Sequence, residues 1–525
     1  MKRKEFLRNT VPFAILPDLL RPYSVRVLGD SPLLSSILNA YVETDRVLVL
    51  IQLNGGNDGL NTVIPLDQYS RYQNARSNIA IAESRVLRLN GAMGVGLHPA
   101  MTGMQQLFNE GKLRLVQAVG YPNPNFSHFR ATDIWMSASN SNEVLTSGWA
   151  GRYLADQFSD YPDGYPNSNA PDPLGIQIGS TTSLALQGPS ANMAISITST
   201  ANFYNLLNGI QDPAPATPAG DALRYVRLVA QQTNAYAGRI VEAAGKVTAQ
   251  ATYPANTLAD QLKIVARLIK GGLKTRVYMV TLGGFDTHAS QAVGTDTATG
   301  THATLLERLS SAIKAFQDDL QQLGIADRVL GMTFSEFGRR VRSNASTGTD
   351  HGAAAPMFLF GTKVNPGITG NNPIIPANPA VNDNIPMQYD FRSVYASVLS
   401  DWFCADATTL QTTMLQNFQQ LPLCAPGNCS IPTSVTDRIP GNTLIRNYPN
   451  PFTSTTVISF TTRGGHTLVQ IMDNQGRVLR TPIDRDYVSG TYQVSFDAGS
   501  LPAGVYYMRL QNGSAQQVKP MLKVR

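Results

Sequence analysis

Four short polar clusters in this chain carry side chains capable of chemistry, and each lies at the end of an apolar run. Asn54-Gly55-Gly56-Asn57-Asp58-Gly59 follows Arg46 to Leu53, and Ser127-His128 follows Leu113 to Val119. Asp286-Thr287-His288 follows Arg276 to Leu282; Glu336, Arg339 and Arg340 follow Val329 to Phe334, with Asp350-His351 just ahead of the run Met357 to Phe360. Asp and His two apart face the same way on an extended chain, so a carboxylate and an imidazole can bind one ion, or one can orient the other. The glycines after Leu53 let backbone approach a ligand or ion, with oxygen from Asp58 and the asparagines; the same residues also make a plain turn. Ser127 stands where a helix would begin. It is either an N-cap or a hydroxyl placed in a positive field that suits attack on an anionic ester.

These clusters need elements to hold them. The runs Arg46–Leu53, Leu113–Val119, Arg276–Leu282 and Val329–Phe334 are short and rich in Val, Ile and Leu, as expected of strands buried on both faces. In α/β sheets such strands carry functional groups at their ends. Helical spacing over Ala100–Glu110, Ala131–Met136, Ala222–Val247, Leu258–Ile269 and Ala303–Leu323, and again after Asp390, predicts covering layers. Residues 137–220 are rich in Ser, Asn, Gly, Pro and Thr and read as an excursion shaping substrate access, with 212–220 a linker by composition. From Leu421 to Gly441 the composition turns to Pro, Gly, Cys, Ser and Thr, which marks a domain boundary. Beyond it four short strands are expected, Thr455–Phe460, Thr467–Met472, Tyr492–Phe496 and Gly504–Leu510, forming a small β-sandwich.

Composition narrows the function classes. The 525 residues are 42% hydrophobic and 15% charged, the make-up of a packed protein of two or more domains. The net charge of +6 is spread along the chain without a basic, aromatic-interleaved stripe, so no nucleic-acid partner is expected. No run approaches a bilayer-spanning length, so no transmembrane segment is expected either. Residues 1–30 have a basic start and a short apolar patch broken by Pro12, Pro17 and Asp18, and read as a degenerate export signal, similar to a worn twin-arginine leader, or as a basic N-terminal arm. Cys404, Cys424 and Cys429 show no CxxC spacing; a Cys424–Cys429 bridge with Cys404 a buried thiol, or three free thiols, both fit.

The four clusters in this order, with LIQLNGGNDGLNTVIP, FSHFRATDIW and GFDTH, resemble the bacterial DUF1501 family, itself similar to the alkaline phosphatase and sulfatase superfamily. The resemblance implies an α/β, alkaline-phosphatase-like sandwich, with a central mostly parallel sheet flanked by helices, over residues 45–423. It also implies one or two divalent ions, Zn or Mn, beside a serine nucleophile. Carried across residue by residue, Ser127 is the nucleophile, and Asp58, Asp286, His288, Glu336 and His351 are metal ligands, with Asn54, His128, Arg339 and Asp350 in support. Phe337 stands where the superfamily usually has a histidine, which bears on a second ion, and Asn54 aligns with its first aspartate. The arginines beside Glu336 are expected to help neutralise the anion. The remaining histidines, His98, His302 and His466, are read as ordinary residues.

After a linker at 424–446, residues 447–525, with NYPNPF, FDAGSLPAGVYYMRL and MLKVR, resemble the type A sorting domain of the type IX secretion system. That resemblance implies export through the outer membrane of a Bacteroidetes-type cell, to the medium or the cell surface, with the secretion machinery as partner. Two functions remain on these readings. One is a secreted metal-dependent hydrolase of phosphate or sulfate esters acting on an anionic ester or glycan; the other is a non-catalytic surface binding or adhesion protein that keeps the fold.

Overall fold

The computed structural model describes residues 45–158, 161–168, 170–199, 232, 234–425, 445–448, 450–473, 476–513 and 515–524. The chain divides into two compact units, with the division between Ile431 and Pro432. The export-signal reading at 1–30, most of the linker, and residues 222–231 of the expected helix Ala222–Val247 lie outside the described residues; 234–245 of that helix are helical.

The larger unit is built on one nine-stranded sheet: β1 (Val47–Asn54), β2 (Leu113–Gly120), β3 (Gly175–Ile178), β4 (Ala194–Ile197), β5 (Val277–Gly283), β6 (Val329–Phe334), β7 (Ala355–Phe360), β8 (Gly367–Thr369) and β9 (Tyr389–Asp390). Their order is β8-β2-β7-β6-β1-β5-β3-β4, with β9 beside β2. β1 runs parallel to both β5 and β6, and only β7 is antiparallel to its neighbours. Residues 137–220 are therefore less of an excursion than their composition predicts, since β3 and β4 extend the sheet alongside β5.

Alternation along β1 shows why the central strands read as unbroken apolar runs. Val49, Ile51 and Leu53 face a cluster that includes helices α1 (Thr102–Asn109), α4 (Thr257–Lys270) and α5 (Thr301–Gln322). Leu48 and Leu50 face the opposite cluster, with α2 (His128–Ser137), α3 (Trp149–Gln157) and α6 (Phe391–Ser397). Both faces are covered, so successive side chains need apolar partners on alternate sides. The result is an α/β sandwich with a mostly parallel central sheet between helical layers.

Because β1, β2, β5 and β6 share one direction, the chain leaves all four at the same edge of the sheet. β7 enters from that edge, directly after a hairpin of Gly338–Ser343 with Thr349–Gly352. The four polar clusters of the sequence are thus delivered to one place by topology.

The smaller unit is a five-stranded antiparallel arrangement of β10 (Ile445–Tyr448), β11 (Thr455–Met472), β12 (Val478–Asp497), β13 (Gly504–Asn512) and β14 (Ala515–Lys523). The two strands expected at 455–460 and 467–472 are one continuous strand, paired with β12 through the Gly464-Gly465 step. β14, unread in the sequence, pairs with β13 along nine positions. Both cysteine readings, a Cys424–Cys429 bridge and three free thiols, are corrected: Cys424 is a free, buried thiol, while Cys404 is disulfide-bonded.

Candidate metal centre

The edge loops meet at Asp286. Its Oδ1 lies 3.2 Å from His288 Nε2 and 3.3 Å from His351 Nε2, and its Oδ2 lies 3.4 Å from His128 Nε2. His288 Nε2 and His351 Nε2 are 2.8 Å apart. His128, Asp286 and His351 place ligand atoms within 4.8 Å of one another, a group that could hold a metal ion.

Each imidazole is held from behind through its other nitrogen. His351 Nδ1 is 2.8 Å from the Phe126 carbonyl oxygen, which can only accept, so that nitrogen carries the proton. His288 Nδ1 faces Asp350 Oδ1 at 3.3 Å, and His128 Nδ1 faces Glu336 Oε1 at 3.0 Å. This is the outer arrangement that fixes the tautomer of metal-binding histidines. Asn344 steadies Asp350 by donating from Nδ2 at 3.1 Å; that bond, ahead of the opposing burial and with help from His288, holds the Asp350 carboxyl below the ordinary range.

Arg339 binds the loops together. It is almost fully buried, and its guanidinium donates to the Gly56, Gly55, Thr349 and Phe285 carbonyls and, at 2.7 Å, to Asp286 Oδ1. Burial pushes the Asp286 carboxyl up, but the hydrogen bond and charge of Arg339, with His351 and His288, outweigh it and leave it below the usual range. Burial, opposed by the Phe126 hydrogen bond, lowers His351. With its donors spent on backbone and Asp286, Arg339 clamps the site and is not poised over an incoming anion as the sequence suggested. Arg340 donates to the His351 carbonyl and to Asn382, and lies over the Phe126 ring.

The glycines after β1 are required by close approach. Gly55 has φ +124°, and a Cβ there would come within 2.2 Å of the Asp286 backbone nitrogen. Gly56 has φ +81°, and its Cβ would fall 2.3 Å from Phe337 Cε2. Only glycine accepts both that conformation and that contact.

Asp286, His288 and His351 meet, as do the supporting His128 and Asp350. Glu336 is 1% exposed and sits one tier back, accepting from the Gly55 N–H at 2.8 Å as well as facing His128. Asn54, the last residue of β1, is exposed, and its carbonyl accepts from the Phe285 N–H at 3.0 Å. Asp58 is not brought to the cluster. It is completely buried, with Arg76 Nη1 2.6 Å from both its oxygens and Gln291 Nε2 2.6 Å from Oδ2. His302 lies nearby, donating from Nε2 to Asn57 Oδ1 at 3.0 Å, and His98 packs against it; neither faces the cluster.

Ser127 is the N-cap residue of α2, makes no side-chain cap bond and is exposed; in sequence it stands between His128 and Phe126, whose carbonyl faces His351. A histidine at the start of a helix shows no partner in its own segment, and the contacts of His128 come from Asp286 and Glu336, far along the chain. The orienting role of the Phe126 carbonyl leaves no trace in residue type at all.

Residues 45–389 match the family described as "Protein of unknown function (DUF1501)", and residues 446–523 match the "Secretion system C-terminal sorting domain". No curated protein matches the chain. Among solved structures, the chain is similar to a protein in the alkaline phosphatase superfamily from Vibrio parahaemolyticus, at 9% identity and TM-score 0.31 over 93% of this chain and 84% of that one. A sulfatase from Pseudoalteromonas sp. is similar at 9% identity and TM-score 0.30, over 87% and 84% of the two chains. At this distance a likeness says nothing of chemistry, which is read from the residues of the site. Among the described residues no helix is long and apolar enough to cross a membrane.

Proposed function

The chain belongs to the DUF1501 family of proteins of unknown function, and on that premise we propose that it is an exported, metal-dependent hydrolase of phosphate or sulfate esters. The observation that carries this reading is the convergence of imidazole Nε2 atoms from His288 and His351 on Asp286, with the Ser127 hydroxyl at the adjoining helix start. The donor set fits a divalent ion: mixed imidazole and carboxylate favours Zn or Mn over Mg or Ca. Asp286, His288 and His351 would hold it. When bound, it would supply Lewis-acid polarisation of the ester oxygen and ease ionisation of the serine hydroxyl.

The chain's own residues do the rest. Ser127 Oγ would bond to phosphorus or sulfur as the bond to the leaving oxygen breaks; the serine proton passes to solvent and the leaving oxygen takes one from it. Water then cleaves the Ser127 ester and releases phosphate or sulfate. The N-terminus of the ten-residue helix α2 favours the anion at that position. The match at 446–523 supports export through the type IX machinery, and with it a substrate met outside the cell, an anionic ester or glycan.

Purified zinc- or manganese-loaded protein should hydrolyse an aryl phosphate or aryl sulfate, lose that activity in chelator and regain it with metal. Ser127→Ala should lower kcat by at least ~10³, since the nucleophile is gone while the ion remains. Turnover unchanged in that variant would reject the serine mechanism. One observation favours the second reading, a surface binding protein: His128 Nε2 also lies 3.4 Å from Asp286 Oδ2, and were it a fourth protein ligand, a tetrahedral ion would have no open position for an ester. Loaded protein inert toward both ester classes would decide for it.

A further inference from the structure

We propose that this centre holds a single ion with His128 as a protein ligand, and that Glu336 is a positioning residue for His128 and not a ligand to a second ion. The inference rests on the metal-site reading above and goes beyond it in assigning the coordination and the number of ions.

Spacing puts His128 on the same footing as the other two histidines. Two bonds of ~2.05 Å meeting at the tetrahedral angle separate their donor atoms by about 3.3 Å. At Asp286 the separations are 3.2 and 3.3 Å from Oδ1 to His288 and His351 and 3.4 Å from Oδ2 to His128, while the Nε2 atoms of His288 and His351 stand closer, at 2.8 Å.

The outer contacts give the same result. Nδ1 of His351 is tied to the Phe126 carbonyl, that of His288 faces the Asp350 carboxylate, and that of His128 faces the Glu336 carboxylate. In all three rings Nε2 is the nitrogen turned toward Asp286, the arrangement in which metal-binding imidazoles are held.

A second ion has no comparable place. Glu336 Oε1 already accepts from the Gly55 N–H and from His128 Nδ1. The Ser335 hydroxyl beside Oε2 has its proton committed to the Leu53 carbonyl at 2.6 Å. An ion bound through Oε1 would have to displace one of these donors, and one bound through Oε2 would have to share that oxygen with the Ser335 hydroxyl at 3.4 Å. Either would also meet the fully buried Phe337, whose ring centroid lies 5.0 Å from that of His128 and 4.4 Å from that of His351. A phenyl ring offers no ligand, and it is packed so closely on the loop after β1 that a Cβ at Gly56 would fall 2.3 Å from it.

The test is zinc binding to the chelator-stripped full chain, read by elemental analysis and competition titration. Wild type should take up one equivalent. His128→Ala should bind one equivalent at least tenfold more weakly, and Glu336→Gln one equivalent 10 to 100-fold more weakly, the usual effect of loosening an outer partner. Two equivalents in wild type with one lost in Glu336→Gln would overturn the assignment, as would unchanged affinity in His128→Ala.

X-ray absorption on zinc-loaded wild type needs no variant. Three imidazoles and no metal neighbour at ~3.5 to 4 Å are expected, and two imidazoles or a metal–metal vector would overturn the assignment. Ester hydrolysis reads out separately. One ion in three imidazoles without turnover sinks the hydrolase and leaves this centre, whereas turnover with two ions does the reverse.

Discussion

Replacing Asp58 by asparagine separates two roles that its place after β1 allows. As a metal ligand it would matter to zinc affinity and little to the metal-free fold. As the partner of Arg76 it matters to the fold. Both side chains are completely buried, and the Arg76 guanidinium also donates to the Val341 and Arg340 carbonyls. In Asp58→Asn that cation stays buried with neutral acceptors alone. Breaking a buried pair from one side costs about 3 to 5 kcal/mol. Asparagine retains an oxygen acceptor, so the lower end, about 3 kcal/mol, is expected.

The assay is urea unfolding in chelator, followed by tryptophan fluorescence. The chain's three tryptophans, Trp135, Trp149 and Trp402, are all buried in the larger unit, so the signal reports that unit by itself. Acid adds a second signature. Burial raises the Asp58 carboxyl, but the charge and hydrogen bonds of Arg76, with His302 and Gln291, outweigh it and lower it overall. Its contribution is therefore full above the unfolded carboxylate value, about 3.9, and is lost as pH falls through the folded value. The gap between wild type and variant should narrow below about pH 4. Metal-free stability within ~1 kcal/mol of wild type, together with a collapse in zinc affinity, would refute the ion-pair assignment.

Burial depresses His98 to about 3 and His302 to about 4, so both are neutral in the folded chain. Their stabilising effect is complete above the unfolded value near 6.5 and is lost as pH falls from there toward the folded values; at pH 5 each should contribute about 2 kcal/mol less to unfolding free energy than at pH 7. Urea titrations at the two pH values, compared with His302→Gln, check this. Gly55→Ala forces a side chain against the Asp286 backbone in a left-handed conformation, and should cost about 1 to 3 kcal/mol or more in the same assay and weaken zinc binding. In the smaller unit the buried Lys523 ammonium donates to the Ala498, Gly499 and Leu501 carbonyls. Lys523→Met should destabilise that unit by about 2 to 3 kcal/mol, seen by hydrogen exchange in β13 and β14, without moving the tryptophan transition.

Much of the sheet was legible because its central strands are buried on both faces. Val47–Asn54, Leu113–Gly120, Val277–Gly283 and Val329–Phe334 differ from their apolar runs by a residue or so at the ends. The short strands β3 and β4 were lost in a Ser- and Asn-rich background, since four residues at a sheet edge carry too little periodicity to stand out. In the smaller unit, the gap expected between Thr455–Phe460 and Thr467–Met472 holds Gly464 and Gly465 but lies within a paired strand, because glycine permits a local bend as readily as a reversal.

By itself the sequence determined which residue types cluster at strand ends, and hence that carboxylates, imidazoles and a helix-start serine would come to one edge of an α/β sheet. It could not determine which acids reach the centre, because Asp58 and Asp286 look alike in their own segments. Only the folded chain decides that Arg76, eighteen residues on, claims the first, and that Arg339 holds the second among three imidazoles. The physical reason is that a carboxylate's role is set by the nearest cation and by which nitrogen of each ring is already spoken for. Both are properties of contacts between distant segments, and neither is written in the residues beside it.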